Sequence, residues 1–234
     1  MYKGDDCMLI SGLQKLTLLD FPGTVSCIVF THGCNFRCPF CHNSPLVSGP
    51  LDTEISEGEV VDFLKNRKNI LDGVVVSGGE PLLHSDIADF LEKVKQLGYK
   101  VKIDTNGTNP DMLKKLVNDG LVDYVAMDIK NCPDYYEDAT GAEGYLQAVA
   151  KSKDFLLEGR VDYEFRTTVV KGIHTKEQLI SLAKWIKGAK RYYLQKYKCS
   201  ENILNPNGLD SFGDEEMESF LADISPIIEM SYIR

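Results

Sequence analysis

No stretch of this 234-residue chain approaches the roughly 18 consecutive apolar residues that span a bilayer. Its first residues, Met1-Tyr2-Lys3-Gly4-Asp5-Asp6, lack the charged-then-apolar order of a signal peptide. Neither a membrane span nor a secretory leader is expected, and the expectation is a cytoplasmic protein. Positive charge is also short, with 26 Lys and Arg against 35 Asp and Glu and a formal net charge of −9. Such a balance offers no broad cationic surface to a phosphate backbone, so direct nucleic-acid binding is not expected. Low-complexity tracts, charge blocks and Pro/Gly/Ser linkers are missing, so nothing marks a domain boundary and one domain over 1–234 is the simplest reading. A disulfide framework is absent as well: Cys7, Cys27, Cys132 and Cys199 are scattered singly and three others are bunched, the usage of a reducing compartment. Cys27, inside an apolar run, reads as a small core residue.

What recurs is a short β-rich run, a glycine or polar turn, and a segment of helical period, the pattern of parallel βαβ units. The runs cover 24–31, 73–77, 100–104, 124–130, 162–170 and 191–195. Ser56-Glu57-Gly58-Glu59 is a capping box that predicts a helix with Val60, Phe63, Leu64 and Ile70 inward. Ser85 predicts the cap of a helix with Ile87, Phe90, Leu91, Val94 and Leu97 on one face and Gly98 as its stop. Asn109 and Pro110 open another, with Met112, Leu113, Leu116 and Val117 inward and Gly120 as the stop. Further helices are predicted over 144–157, from Thr175 with Gln178, and near 215–224. Six such units predict an α/β fold: a partial (β/α)6 TIM-like barrel, mostly parallel and curved, with helices outside. A flat doubly wound sheet is the runner-up, and in either the chemistry belongs at the carboxyl ends of the strands.

The segment after the first run is Cys34-Asn35-Phe36-Arg37-Cys38-Pro39-Phe40-Cys41. Three thiolates in one loop can hold three irons of a four-iron cluster and leave the fourth iron open, and an open metal position is a reactive one. A structural zinc completed by His32 or His42 is the plain alternative. Other unusual residues fall at the other predicted strand ends: Gly78-Gly79-Glu80 after the second, Asp104-Thr105-Asn106-Gly107 after the third, Asp128 and Lys130 at the fourth, Gln195 at the sixth. Glycines let a backbone approach a ligand, and Glu80 offers a carboxylate suited to an ammonium group. Asp128 and Lys130 stand two apart on a strand and so share a face, suiting a ribose hydroxyl and a carboxylate. Arg166, in the middle of the fifth run, calls for an acidic partner if it points inward. Cys132 and Cys199 follow the fourth and sixth runs, near the same rim, and His174 reads as a loop histidine.

The CxxxCxxC spacing resembles the signature of the radical S-adenosylmethionine (SAM) enzymes. That resemblance implies a [4Fe-4S] cluster on Cys34, Cys38 and Cys41, with SAM chelating the open iron, Phe40 and His42 beside it, and Gly78, Gly79 and Glu80 at its amino group. The D-T-N-G segment (Asp104, Thr105) and the D-x-K strand end (Asp128, Ile129, Lys130) resemble those of activases of glycyl radical enzymes. The resemblance implies SAM contacts there and at Gln195, where pyruvate formate-lyase activases carry a histidine. Asp20, in Leu19-Asp20-Phe21-Pro22-Gly23, matches their Asp-Pro-Gly turn, and it is expected to face Arg166 near the substrate backbone. Gly12-Leu13-Gln14-Lys15, that turn and Cys41-His42-Asn43 look most like the activating proteins of anaerobic ribonucleoside-triphosphate reductase. The likeness runs from about Leu9 to Gln195, leaving 196–234 as an uninformative tail. It implies a glycyl radical enzyme as partner and reduced flavodoxin or ferredoxin as electron donor. A small-molecule enzyme similar to 7-carboxy-7-deazaguanine synthase and a non-catalytic iron-sulfur carrier or zinc protein are the alternatives.

Overall fold

The computed structural model describes residues 8–50 and 54–234; Cys7 lies outside them. One sheet carries eight strands in chain order: β1 (Ile10–Thr17), β2 (Ser26–Thr31), β3 (Gly73–Gly78), β4 (Lys100–Thr105), β5 (Tyr124–Asp128), β6 (Asp162–Val169), β7 (Tyr192–Lys196) and β8 (Ser231–Ile233). Each of β2 to β7 runs parallel to the next, and β1 runs antiparallel to β2. Between β2 and β3 lie α1 (Ser44–Ser48) and α2 (Glu57–Lys65), followed in turn by α3 (Ile87–Gln96), α4 (Pro110–Asn118), α5 (Tyr136–Thr140), α6 (Leu146–Leu157), α7 (Lys176–Trp185) and α8 (Asp214–Ile224). Among the described residues β1 and β8 do not pair, so the sheet is a partial barrel rather than a closed one. Two strands exceed the six anticipated. β1 was missed because Ile10–Thr17 is largely half-exposed, and β8 because it is three residues long.

Alternation along the strands assigns the two faces. Val74, Val76, Val101, Ile103, Val125, Met127, Phe165 and Leu194 join one large core with the helices. The opposite, inner face has a small apolar floor of Phe21, Ile28, Val75 and Tyr124. Above that floor it carries charge, which a filled eight-stranded barrel would replace with packed branched side chains.

Helix starts follow local chemistry. Ser56 with Glu59 and Thr175 with Gln178 each close a capping box, while Asn109 accepts the Met112 N–H ahead of Pro110. Ser85 is not a cap: Asp86 holds that position, and its Oδ2 accepts the Met8 N–H at 2.6 Å instead of capping α3. Ile70 is 56% exposed, because α2 ends at Lys65 and Asn69 turns the chain with φ of 70°.

Candidate active site

The loop after β2 is seated by its aromatics. Phe36 is buried edge-on against Tyr136 and Tyr145, and Phe40 is buried edge-on against His174, with ring centroids 6.3, 5.6 and 6.2 Å apart. Backbone bonds finish the job: Arg37 N–H donates to the Thr140 carbonyl at 2.8 Å and Cys41 N–H to the Cys38 carbonyl at 3.0 Å. Cys34, Cys38 and Cys41 thereby line one cavity of about 250 Å³ at the carboxyl ends of the strands. Burial pushes the Cys34 thiol up to about 11 and the Cys38 thiol up to about 12. Thiols so buried are thiolates only when something cationic binds them, which is what iron does. Among the described residues no three His, Cys, Asp or Glu side chains are gathered around one single-ion position. A tetrahedral zinc with bonds of about 2.3 Å needs its ligands drawn to one point. Three cysteines are the full protein ligand set of a cluster with one open iron, whereas a structural zinc needs a fourth protein ligand, so these donors suit a cluster better than a zinc ion. His32 and His42 are also engaged elsewhere, with Ser11 Oγ at 2.9 Å and the Lys198 carbonyl at 2.7 Å.

Gly78 and Gly79 are required by the cysteine loop itself. Gly79 N–H donates to the Thr31 carbonyl at 3.0 Å and Glu80 N–H to the Gly33 carbonyl at 2.8 Å. A Cβ at Gly79 would overlap the Gly33 carbonyl oxygen, and Gly78 has φ of 117°. Glu80 is fully enclosed. Its Oε2 accepts Asn106 N–H at 2.6 Å, and its Oε1 accepts the Thr105 hydroxyl at 2.7 Å and Leu82 N–H at 3.1 Å. Burial pushes its pKa up to about 7 against those three donors. The carboxylate thus ties β3's end to β4's end as well as facing the cavity.

Five charges alternate across β4, β5 and β6. Lys130 Nζ donates to Asp128 Oδ2 at 3.0 Å, Arg166 Nε to Asp128 Oδ1 at 2.9 Å, and Arg166 stands 3.4 Å from Asp104 Oδ2, whose other oxygen meets Lys102. Burial alone would raise the Asp128 pKa, but Arg166 and Lys130 outweigh it and hold the carboxyl at about 2. Asp104 is lowered in the same way by Arg166 and Lys102. Gln195, half-buried, and Thr168 line the cavity beside this ladder.

Two expectations need correction. Asp20 does not face Arg166: Thr17 pairs with Ser26 at the start of β2, so the Leu18–Thr24 turn lies at the amino ends of the strands, where Thr17 Oγ1 donates to Asp20. Arg166 finds Asp128 and Asp104 instead. Ile129 does not line the cavity; alternation turns its side chain into the helix-side core, its N–H donates to the Arg166 carbonyl and its carbonyl accepts the Thr167 hydroxyl. Cys132 is buried and Cys199 exposed, and neither lines the cavity.

Three residues at the site escaped sequence reasoning. Lys102 alternates with Asp104 on one strand, which was a usable signal. His174 is buried, with Nδ1 accepting Val170 N–H at 3.1 Å and Nε2 meeting the Lys130 carbonyl at 2.8 Å, so it props the Lys130 segment under Phe40. Asn106 reaches Cys34, a contact nothing in the local pattern announces. The tail also returns to the loop: Leu204 and Asn205 N–H groups donate to the Cys41 and Pro39 carbonyls at 3.2 and 2.9 Å.

Comparison with known proteins agrees with this arrangement. The chain matches the Radical SAM superfamily over residues 28–191. It is 34% identical over 197 residues to a putative glycyl-radical enzyme activating enzyme of Methanocaldococcus jannaschii, covering 81% of this chain and 80% of that one. It is 35% identical over 133 residues, about half of each chain at 52%, to the pyruvate formate-lyase-activating enzyme of Listeria monocytogenes. Streptococcus suis SuiB bound to S-adenosylmethionine shares the fold, with a TM-score of 0.68 at 16% identity over 86% of this chain, which spans 48% of that larger one. The architecture is thus the partial barrel of the radical SAM enzymes. The chain belongs to the radical SAM superfamily and, within it, to the family of glycyl-radical enzyme activating enzymes.

Proposed function

We propose that this protein activates a glycyl radical enzyme by radical SAM chemistry, with a [4Fe-4S] cluster on Cys34, Cys38 and Cys41 and SAM in the adjoining cavity. The observation that carries the reading is convergence: three cysteines, Glu80, Asp128, Lys130 and Gln195 come from four separate strand ends to one cavity. When bound, cluster and SAM supply a one-electron cleavage that yields methionine and a 5'-deoxyadenosyl radical, which takes a hydrogen from a glycine of the partner. The chain's own part is positioning. Lys130, held by Asp128, presents an ammonium to a carboxylate. Gln195 brings an amide that can donate or accept, and Glu80 lines the cavity as the carboxyl whose charged form a bound ammonium would favour. Burial of Phe36 and Phe40 keeps solvent from two sides of the cysteine loop.

The partner proposed is anaerobic ribonucleoside-triphosphate reductase, with reduced flavodoxin or ferredoxin as electron donor. This finer reading is supported by Gly12-Leu13-Gln14-Lys15, Leu19-Asp20-Phe21-Pro22-Gly23, Cys41-His42-Asn43 and Gln195 in place of a histidine. The test is anoxic reconstitution with iron and sulfide, then reduction in the presence of SAM. Wild type is expected to bind four irons and release 5'-deoxyadenosine, and C38A to do neither. A protein that binds four irons and releases none is a carrier. Adding the reductase is expected to produce a glycyl radical by electron spin resonance; 5'-deoxyadenosine without that signal would remove this partner.

A further inference from the structure

The loop after β4 aims a side-chain amide at one of the three cysteines. Asn106 Nδ2 stands 3.8 Å from Cys34 Sγ and 2.9 Å from Asn35 Oδ1. Oxygen and nitrogen of an amide are alike in shape, so the surrounding bonds must decide its orientation. Here they do. Asn106 Oδ1 accepts both the Thr108 N–H at 3.0 Å and the Thr108 hydroxyl at 2.7 Å, which commits the oxygen to that side. Asn35 Nδ2 donates to the Thr108 hydroxyl at 2.9 Å, which leaves Asn35 Oδ1 to accept from Asn106. The three side chains close a ring, and the remaining N–H of Asn106 points at sulfur. Its backbone is fixed from behind by the Glu80 carboxylate. Cys34 Sγ also accepts the Phe36 N–H at 3.4 Å.

We propose that Asn106 is a positioning residue that sets the reduction potential of the cluster through Cys34, an inference that rests on the cluster reading above. On reduction one electron enters from an external donor, no protein bond forms or breaks, and part of the added charge resides on the cysteine sulfurs. An N–H dipole aimed at Cys34 stabilises that charge and raises the potential, as hydrogen bonds to cluster sulfurs do. Because Asn106 is tied to both Glu80 and the cysteine loop, the donor is held in place before the electron arrives.

The experiment compares wild type, N106L and N106D after anoxic reconstitution, without SAM or partner. Iron and sulfide are counted, and the potential is read from a reductive titration followed by electron spin resonance of the reduced cluster. Four irons are expected in all three proteins. N106L is expected at a more negative potential than wild type, and N106D lower still, since it adds charge as well as removing the donor. An N106L potential equal to that of wild type overturns the proposal. So does loss of the cluster from both variants while wild type retains it, because the contact would then serve only to build the site. Wild type that takes up no four-iron cluster would instead sink the reading beneath it.

Discussion

Glu80 stands between two strand ends with three donors around it, and its residue type alone suggests a simpler job. A glutamate after two glycines reads as a free carboxylate awaiting an ammonium; enclosure makes it also a tie between β3 and β4. Enclosure further makes it a weak acid, with a pKa raised to about 7 by burial. A folded-state value above the unfolded one means that its contribution to stability is whole below about pH 4.3 and lost as pH rises through 7. The full step is on the order of 3 kcal/mol. Gln at this position would set an amide N–H2 against one of the three donors and cost about 1–3 kcal/mol. The stability gap between metal-free wild type and E80Q, from denaturant melts, is therefore expected to narrow between pH 5 and 8. A gap that does not change with pH would contradict the assignment. Side-chain identity and strand-end position made Cys34, Lys130 and Gln195 legible from sequence. His174 and Asn106 were not, because their work is done through partners 44 and 72 residues away.

Elements were more readable than residues where local chemistry decides them. The boxes at Ser56 and Thr175 and the Asn109-Pro110 start are closed within four residues, so the pattern suffices. β8 depends on pairing with β7, and Asp20's place depends on β1 running antiparallel, neither of which a periodicity contains. Asp20 was drawn toward Arg166 by resemblance to a turn, and the register of β1 on β2 puts it at the other end of the barrel. The junction of β3 with the cysteine loop is the element on which the site depends most. A methyl group on Gly79 overlaps the Gly33 carbonyl, and the N–H groups of Gly79 and Glu80 are already bound to the Thr31 and Gly33 carbonyls. G79A is expected to lose most of its cluster on reconstitution, measured as iron per chain, while G98A, where a Cβ meets nothing, keeps it at a modest stability cost from φ of 90°. Equal iron in G79A and wild type would mean that the two loops can separate.

At the scale of the whole molecule, an open sheet whose inner face packs only a small apolar floor leaves an interior free for charge. Lys102, Asp104, Arg166, Asp128 and Lys130 fill it as an alternating ladder that crosses three strands, so the barrel's inner wall is held by ion pairs where a closed barrel has branched side chains. Removing the middle rung leaves two half-buried carboxylates with one cation each, a loss of about 2–3 kcal/mol, below the usual cost of breaking a fully buried pair. R166M keeps an unbranched stem but removes the charge and the guanidinium donors together, so a denaturant melt at pH 7 reads the cost of losing both pairs. The acid limb carries a second signature. Asp128 is held at about 2 by Arg166 and Lys130. Its stabilisation is present above its unfolded value of about 3.9 and is lost as pH falls through 2. Without Arg166 its pKa rises, the window narrows, and acid unfolding of R166M, followed by circular dichroism, is expected to begin at higher pH than that of wild type. Coincident acid profiles would show that Lys130 and Lys102 suffice to keep both carboxylates ionised, and that the guanidinium serves the cavity rather than the wall.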